Sequence, residues 1–189
     1  MIRKQVKQIT MRRGRYDWKG EMDFTRNSEV PVLLAHRKKG GEAVRKIDLI
    51  VVHCSATRAD KPLSPEQLEQ MHRQRGFKCC GYHFYVRRDG KICTMRPVQQ
   101  EGAHAKGFNR NSIGVCYEGG LDEQGRPADT RTELQKRALR VLVRVLAMDF
   151  QTRRIVGHRD LSPDLDGDGI VEPEEWTKMC PCFDVATEL

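Results

Sequence analysis

Lys46-Ile47-Asp48-Leu49-Ile50-Val51-Val52-His53 is the stretch that decides the fold. Its apolar residues follow one another without the polar alternation of a strand that has one wet face. It therefore reads as a β-strand covered on both sides. Such a strand needs a layer of helix or loop on each face of its sheet, which places the chain in the α/β class.

The segments downstream agree. Leu63-Ser64-Pro65-Glu66-Gln67-Leu68 is a helix start: Ser64 caps, Pro65 takes the first turn, Gln67 closes a capping box and Leu63 staples to Leu68. The helix is expected to end near Arg75, with Gly76 as its stop. Tyr82–Val86 and Lys91–Met95 read as a hairpin turning through Arg88-Asp89-Gly90. Asn111–Tyr117 reads as another strand, ended by Gly119-Gly120. A long helix follows, with Thr130 and Glu133 as its expected capping box. Leu134, Ala138, Val141, Leu142 and Val145 form its expected apolar stripe, and Lys136, Arg137, Arg140 and Arg144 its solvated face. Arg154-Ile155-Val156 is a last strand, leading into Gly157-His158. The expected architecture is a single α/β domain over 47–189, with a mixed central β-sheet flanked by helices.

Charge separates this domain from what precedes it. Of 34 Lys/Arg and 26 Asp/Glu, residues 1–46 hold 13 and 5, so the net charge of +8 lies wholly in that stretch and the remainder balances at 21 of each. Residues 1–46 read as a basic N-terminal extension, partly ordered at most. Either it is a solvated tail or it is an arm for nucleic acid, anionic wall polymer or lipid headgroups. Apolar runs such as Leu49–Val52 fall far short of the ~20 residues a spanning helix needs, so membrane insertion is excluded. The N-terminus lacks the apolar core of a secretory signal. Seven scattered cysteines without such a signal read as thiols or metal ligands, not a disulfide framework.

Chemistry gathers at strand ends. His53 and His158 each close an apolar strand, and Cys180 lies 22 residues beyond His158. Two imidazoles and a thiolate make a first shell for zinc with a fourth position open to water, although no pair has local ligand spacing. Asp164-Leu165-Asp166-Gly167-Asp168-Gly169-Ile170-Val171-Glu172-Pro173-Glu174-Glu175 follows the pattern of an EF-hand loop. Asp164, Asp166, Asp168 and Glu175 supply carboxylates, Ile170 a carbonyl, Glu172 a direct or water-mediated contact, and Gly169 the sharp turn. Calcium is the expected ion, with Pro173 opening an exiting helix; an acidic turn is the alternative. His83 is expected to pack on the face opposite Tyr82, and His72 and His36 to be surface residues. Cys54, Cys79 and Cys80 are expected to be packing thiols.

VVHCSAT, GYHFYVRRDG, AHAKGFNRNSIGVCYEGG, VGHRDLSP and KMCPCFD occur in this order between Val51 and Asp184. Together they resemble the zinc-dependent N-acetylmuramoyl-L-alanine amidases of the bacteriophage-lysozyme type, kin of the peptidoglycan recognition proteins, over about residues 47–184. The resemblance implies that fold, and zinc ligation by His53, His158 and Cys180 rather than Cys182. It also implies catalytic roles for Tyr82 and Lys178, and a loop bordering the substrate in which His104, Lys106 and Asn109 are candidates for contact. The substrate implied is peptidoglycan or a muropeptide, cut between N-acetylmuramic acid and L-alanine. A cytoplasmic branch of the family has Glu where this chain has Cys116, a poor general base, so this chain is expected to rely on Tyr82 to orient the water and assist proton transfer, with Glu118 in reserve. The protein is then expected to be made in the cytoplasm and to act on the wall after release, or on wall fragments inside. The competing readings are a non-catalytic recognition module, whose relatives typically lose the cysteine ligand, and a nucleic-acid partner acting through the basic arm.

Overall fold

The computed structural model describes residues 45–189 and the two-residue strand β1 (Glu21–Met22). The remainder of residues 1–44, including His36 and the expectation of an anion-binding arm, lies outside the described residues. Along the chain follow β2 (Leu49–Cys54), β3 (Thr57–Arg58), α1 (Pro65–Gln74), β4 (Phe84–Val86), β5 (Ile92–Thr94) and β6 (Ser112–Tyr117). β7 (Gly120–Leu121), α2 (Glu133–Phe150), β8 (Arg154–Gly157) and α3 (Val185–Glu188) complete it. One six-stranded sheet runs β1-β5-β4-β6-β2-β8, and β3 and β7 form a separate parallel pair. β4, β6, β2 and β8 are parallel, whereas β5 runs antiparallel to β4, and β1, at the edge, antiparallel to β5. This is the mixed sheet the sequence pointed to.

β2 sits between β6 and β8 with all six residues buried, and its alternating side chains serve two cores. Ile50, Val52 and Cys54 join Phe84, Val86, Ile113, Val115 and Tyr117 beneath α2, packed against Ala138, Leu139, Leu142, Val143 and Leu146. On the other face α1 contributes Leu68 to a smaller cluster with Leu63, Cys80, Tyr85, Cys93 and Cys116, against which Tyr82 packs. Val51 and His53 point to that second face. Ser64 and Gln67 form the expected capping box of α1, and Gly76, at φ +86°, follows its last turn.

The register of α2 corrects the sequence reading. Thr132, not Thr130, is the N-cap, and it closes its box with Gln135. The Thr130 hydroxyl instead accepts from the Gly120 N–H at 2.8 Å. Gln135 is fully buried and donates to the carbonyls of Val86 and Glu118. A polar residue thus opens the core-facing stripe, and Leu134 is left 43% exposed. His72 is likewise buried, not a surface residue: its Nδ1 accepts the Gly81 N–H at 3.0 Å, and its ring packs on Phe77 and Tyr82.

The domain also begins earlier than residue 47. The Arg45 guanidinium donates to the carbonyls of Val98, Asn109, Arg110 and Ser112, tying the 98–112 loop to the start of β2. Its charge reads as part of a basic tail, and only the fold reveals its partners. Among the described residues no helix is long and apolar enough to cross a membrane.

Candidate metal centre

The register of parallel strands brings the two expected histidine ligands together. Val52 of β2 pairs with Gly157 of β8, so His53 and His158 stand one step further along neighbouring strands. The His158 N–H donates to the Val52 carbonyl, and the two Nδ1 atoms are 3.1 Å apart. Cys180 arrives from the C-terminal segment, its Sγ 3.9 Å from His53 Nδ1. One ligand atom from each of the three residues lies within 4.8 Å of the others.

The cysteine is fastened on several sides. Its Sγ accepts the Cys54 N–H at 3.2 Å, and its carbonyl accepts the Arg159 N–H at 2.8 Å. The next carbonyl, of Pro181, accepts the Tyr117 hydroxyl at 2.7 Å. Gly157 lets this segment close on β8, since a Cβ there would stand 2.6 Å from Pro181 Cδ. The Asp160 carboxylate accepts the Gly157 N–H, and the Arg159 guanidinium lies over the Trp176 ring at 3.9 Å. The GHRD stretch therefore holds the returning chain as well as supplying an imidazole.

Burial, followed by the neighbouring His104, His158 and Lys178, holds His53 well below the ordinary imidazole range. Burial and then Lys178 bring His158 down to about 4. Both rings are neutral near pH 7, the form that ligates a metal. Lys178, two residues before Cys180, is exposed, and its charge contributes to the lowering of both histidines. Tyr82 lies on the α1 side, its ring centroid 5.0 Å from that of His53. Burial and then Cys116 push its phenol well above its usual value, so it stays protonated. Cys116 itself is fully buried and its thiol is pushed up, first by burial, which rules out a thiolate base.

Three expectations change. Glu118 is not a reserve base: it is 4% exposed and accepts the N–H groups of Leu63 and Arg88. His104 turns inward beneath His53, with only 9% of its surface exposed. Asn109 faces its own loop, where its Oδ1 accepts the N–H groups of His104 and Ala105. Lys106 is exposed on that loop. His83 is buried and packed, its Nδ1 accepting the Gly114 N–H. No local pattern announces the inward turn of His104; its traces in the sequence are Gly102 and Gly114, where a Cβ would meet its ring at 2.4 and 2.6 Å.

In the 164–175 loop Asp164, Asp166 and Asp168 form one cluster of ligand atoms within 4.8 Å, and Asp166, Glu172 and Glu175 another. The Asp164 carboxylate accepts the N–H groups of Gly167 and Gly169. Glu175 accepts those of Leu165 and Glu172. The exiting helix is absent: Pro173–Glu175 is one 3-10 turn, because Trp176 is already extended.

Two imidazoles and a thiol converging at the rim of a mixed sheet, beside a phenol, define a hydrolase domain with a centre able to hold a metal. The chain belongs to the N-acetylmuramoyl-L-alanine amidase family, whose profile matches residues 43–181. The endolysin of Klebsiella phage KP32 is 36% identical over 136 residues, which is 72% of this chain and 81% of that protein. Among solved structures, the N-acetylmuramoyl-L-alanine amidase LysC from Clostridium intestinale URNW has 27% identity and a TM-score of 0.57, over 74% of this chain and 78% of that one. Bumblebee PGRP-SA, at 20% identity and a TM-score of 0.56 over 74% of this chain and 77% of its own, shares the fold. The protein is thus a peptidoglycan hydrolase with N-acetylmuramoyl-L-alanine amidase activity.

Proposed function

We propose that the amide is cut by water activated on a zinc ion held by His53, His158 and Cys180. The observation that carries this reading is the spacing of the three donors. Tetrahedral zinc with bonds of ~2.0–2.1 Å to nitrogen and ~2.3 Å to sulfur sets its ligand atoms about 3.3 to 3.6 Å apart; here the two edges from His53 are 3.1 and 3.9 Å, and all three donors lie within 4.8 Å of one another. Two neutral imidazoles and a thiol are a donor set zinc prefers, and three protein ligands leave a place for water. Bound there, zinc supplies a Lewis acid for the lactyl carbonyl and a water that ionises near pH ~7.

The remaining steps fall to side chains. As water adds to the carbonyl carbon, negative charge grows on the oxygen, and the Lys178 ammonium stabilises it. The Tyr82 phenol orients the water and assists transfer of its proton to the departing L-alanine nitrogen, so the C–N bond breaks with a neutral amine leaving. Lys106, exposed on the 98–112 loop, is assigned to contact with the muropeptide. The site of action is the wall polymer, reached after release from the cell, or wall fragments within it; the endolysin relatives support the former.

Mass spectrometry of a muropeptide incubated with zinc-loaded and chelated protein tests this. Release of the stem peptide with a free L-alanine amine, abolished by chelation, is expected. Tight muropeptide binding without cleavage would overturn it in favour of a recognition module, and cleavage indifferent to chelation would remove the metal.

The second part of the proposal is calcium in the 164–175 loop, stiffening the segment that delivers Lys178 and Cys180. The spacing of five acids and Gly169 supports it, as do the two carboxylate clusters. Desolvation and then Asp168 and Asp166 raise the Glu172 pKa, a repulsion a cation would relieve. Calcium at ~100 times its Kd is expected to add about 2.7 kcal/mol to stability, and Asp164→Ala with Asp168→Ala to remove that increment. An unchanged calcium response in the double variant would defeat this part alone.

A further inference from the structure

Ligation through Nδ1 accounts for one nitrogen of His53 and leaves the other. Its Nε2 lies 3.0 Å from Nδ1 of His104, in a contact closed to solvent. His104 Nε2 in turn lies 3.3 Å from Ser112 Oγ, and the Ser112 hydroxyl donates to the Phe108 carbonyl at 2.7 Å. The proton positions in this chain follow from its far end. A carbonyl can only accept, so Ser112 directs its one proton to Phe108 and receives the Nε2–H of His104. His104 then presents Nδ1 as a bare acceptor and takes the Nε2–H of His53. That leaves the Nδ1 lone pair of His53 facing His158 and Cys180.

The fold is shaped around this ring. Gly102 and Gly114 clear the space it occupies, a Cβ at either one coming within 2.6 Å of it. Gly114 and Ser112 belong to β6, the strand beside β2, and both face the side of the sheet that carries His53. The backbone at His104 is pinned by Asn109 Oδ1, and Arg45 holds the carbonyls of Asn109 and Ser112.

We propose that His104, backed by Ser112 and the Phe108 carbonyl, is a positioning residue that holds His53 in the tautomer and ring orientation for ligation through Nδ1. This rests on the reading of His53, His158 and Cys180 as the zinc site. Partners of this kind are commonly worth ~10–100-fold in metal affinity.

The test measures zinc itself. Full-length wild type and variants, stripped of metal, compete for zinc against a chromophoric chelator, with thermal melts of the metal-free proteins as a folding control. His104→Ala is expected to weaken zinc ~10–100-fold. His104→Asn, whose Oδ1 stands near the position of Nδ1, is expected to recover most of the loss, and Ser112→Ala to give a smaller one. The d–d bands of the cobalt-substituted protein should shift in His104→Ala and return in His104→Asn. Nitrogen-15 imidazole spectra of metal-free wild type need no variant to fold, and should show His53 with its proton on Nε2. Equal zinc affinity in wild type and His104→Ala, or a His53 proton on Nδ1, would overturn the proposal while the zinc reading stood. Failure of wild type to bind zinc would overturn both.

Discussion

The backbone N–H of Cys54 points at the sulfur of Cys180, 3.2 Å away across 126 positions of sequence. The end of β2 thus contributes twice to the centre, a ring from His53 and an amide from its neighbour. That amide donor steadies the sulfur in place.

The two cysteines should therefore respond differently to substitution. Cys54→Ala keeps the amide and loses only the thiol that contacts the Cys180 and Cys182 side chains, so it is expected to retain zinc within a few-fold. Cys180→Ser removes the sulfur ligand and is expected to lose more than the ~10–100-fold typical of a supporting hydrogen bond, with hydrolysis falling alongside. Zinc content after dialysis and muropeptide cleavage check both.

Lys178 is exposed two residues before Cys180, and its charge is felt at His53 and His158. Lys178→Ala is expected to lower kcat ~10²–10³-fold, with KM and zinc content little changed. Steady-state kinetics on a soluble muropeptide decide this; a loss confined to KM would make the lysine a binding residue instead.

Glu118 is expected to matter for stability and not for chemistry. Its carboxylate satisfies the Leu63 and Arg88 amides, and Glu118→Ala would leave both unpaired in the interior. At ~1–3 kcal/mol for each buried unsatisfied group, urea unfolding should show a loss of several kcal/mol. Glu118→Gln, which keeps one acceptor, should lose less and retain its turnover per folded molecule.

Acid should weaken the metal-free fold through His83. Burial is the main cause lowering its pKa from 6.5 to about 4. Between those values the unfolded chain binds a proton that the folded chain refuses, so stability is full above pH ~6.5 and declines as the pH falls toward 4. One such group contributes a slope of at most ~1.4 kcal/mol per pH unit. Urea unfolding at pH 7 and 5, with chelator present, should show that decline, and His83→Gln should flatten it by about one proton.

What the sequence revealed was what short stretches encode. The unbroken apolar run of β2, the capping box of α1 and the order of His53, His158 and Cys180 were legible because each is a local pattern or an ordered motif. What it hid depends on partners far along the chain. Thr132 and Gln135 displace Thr130 and Glu133 at the start of α2 because Gln135 finds the carbonyls of Val86 and Glu118. Arg45 looks like one more charge of a basic tail until four carbonyls surround it. His104 looks like a groove residue until the strand beside His53 is seen to carry Gly114 and Ser112.

An ion held by His53, His158 and Cys180 would also be a cross-link. It ties the buried strand β2 to the edge strand β8 and to the segment that returns from the acidic loop. All seven cysteines are free thiols, so no covalent bridge makes that connection. Such a clasp is opened by competition for the ion and not by reductant. The centre that cuts the substrate would then also set how long the C-terminal third of the domain resists proteases where metal is scarce.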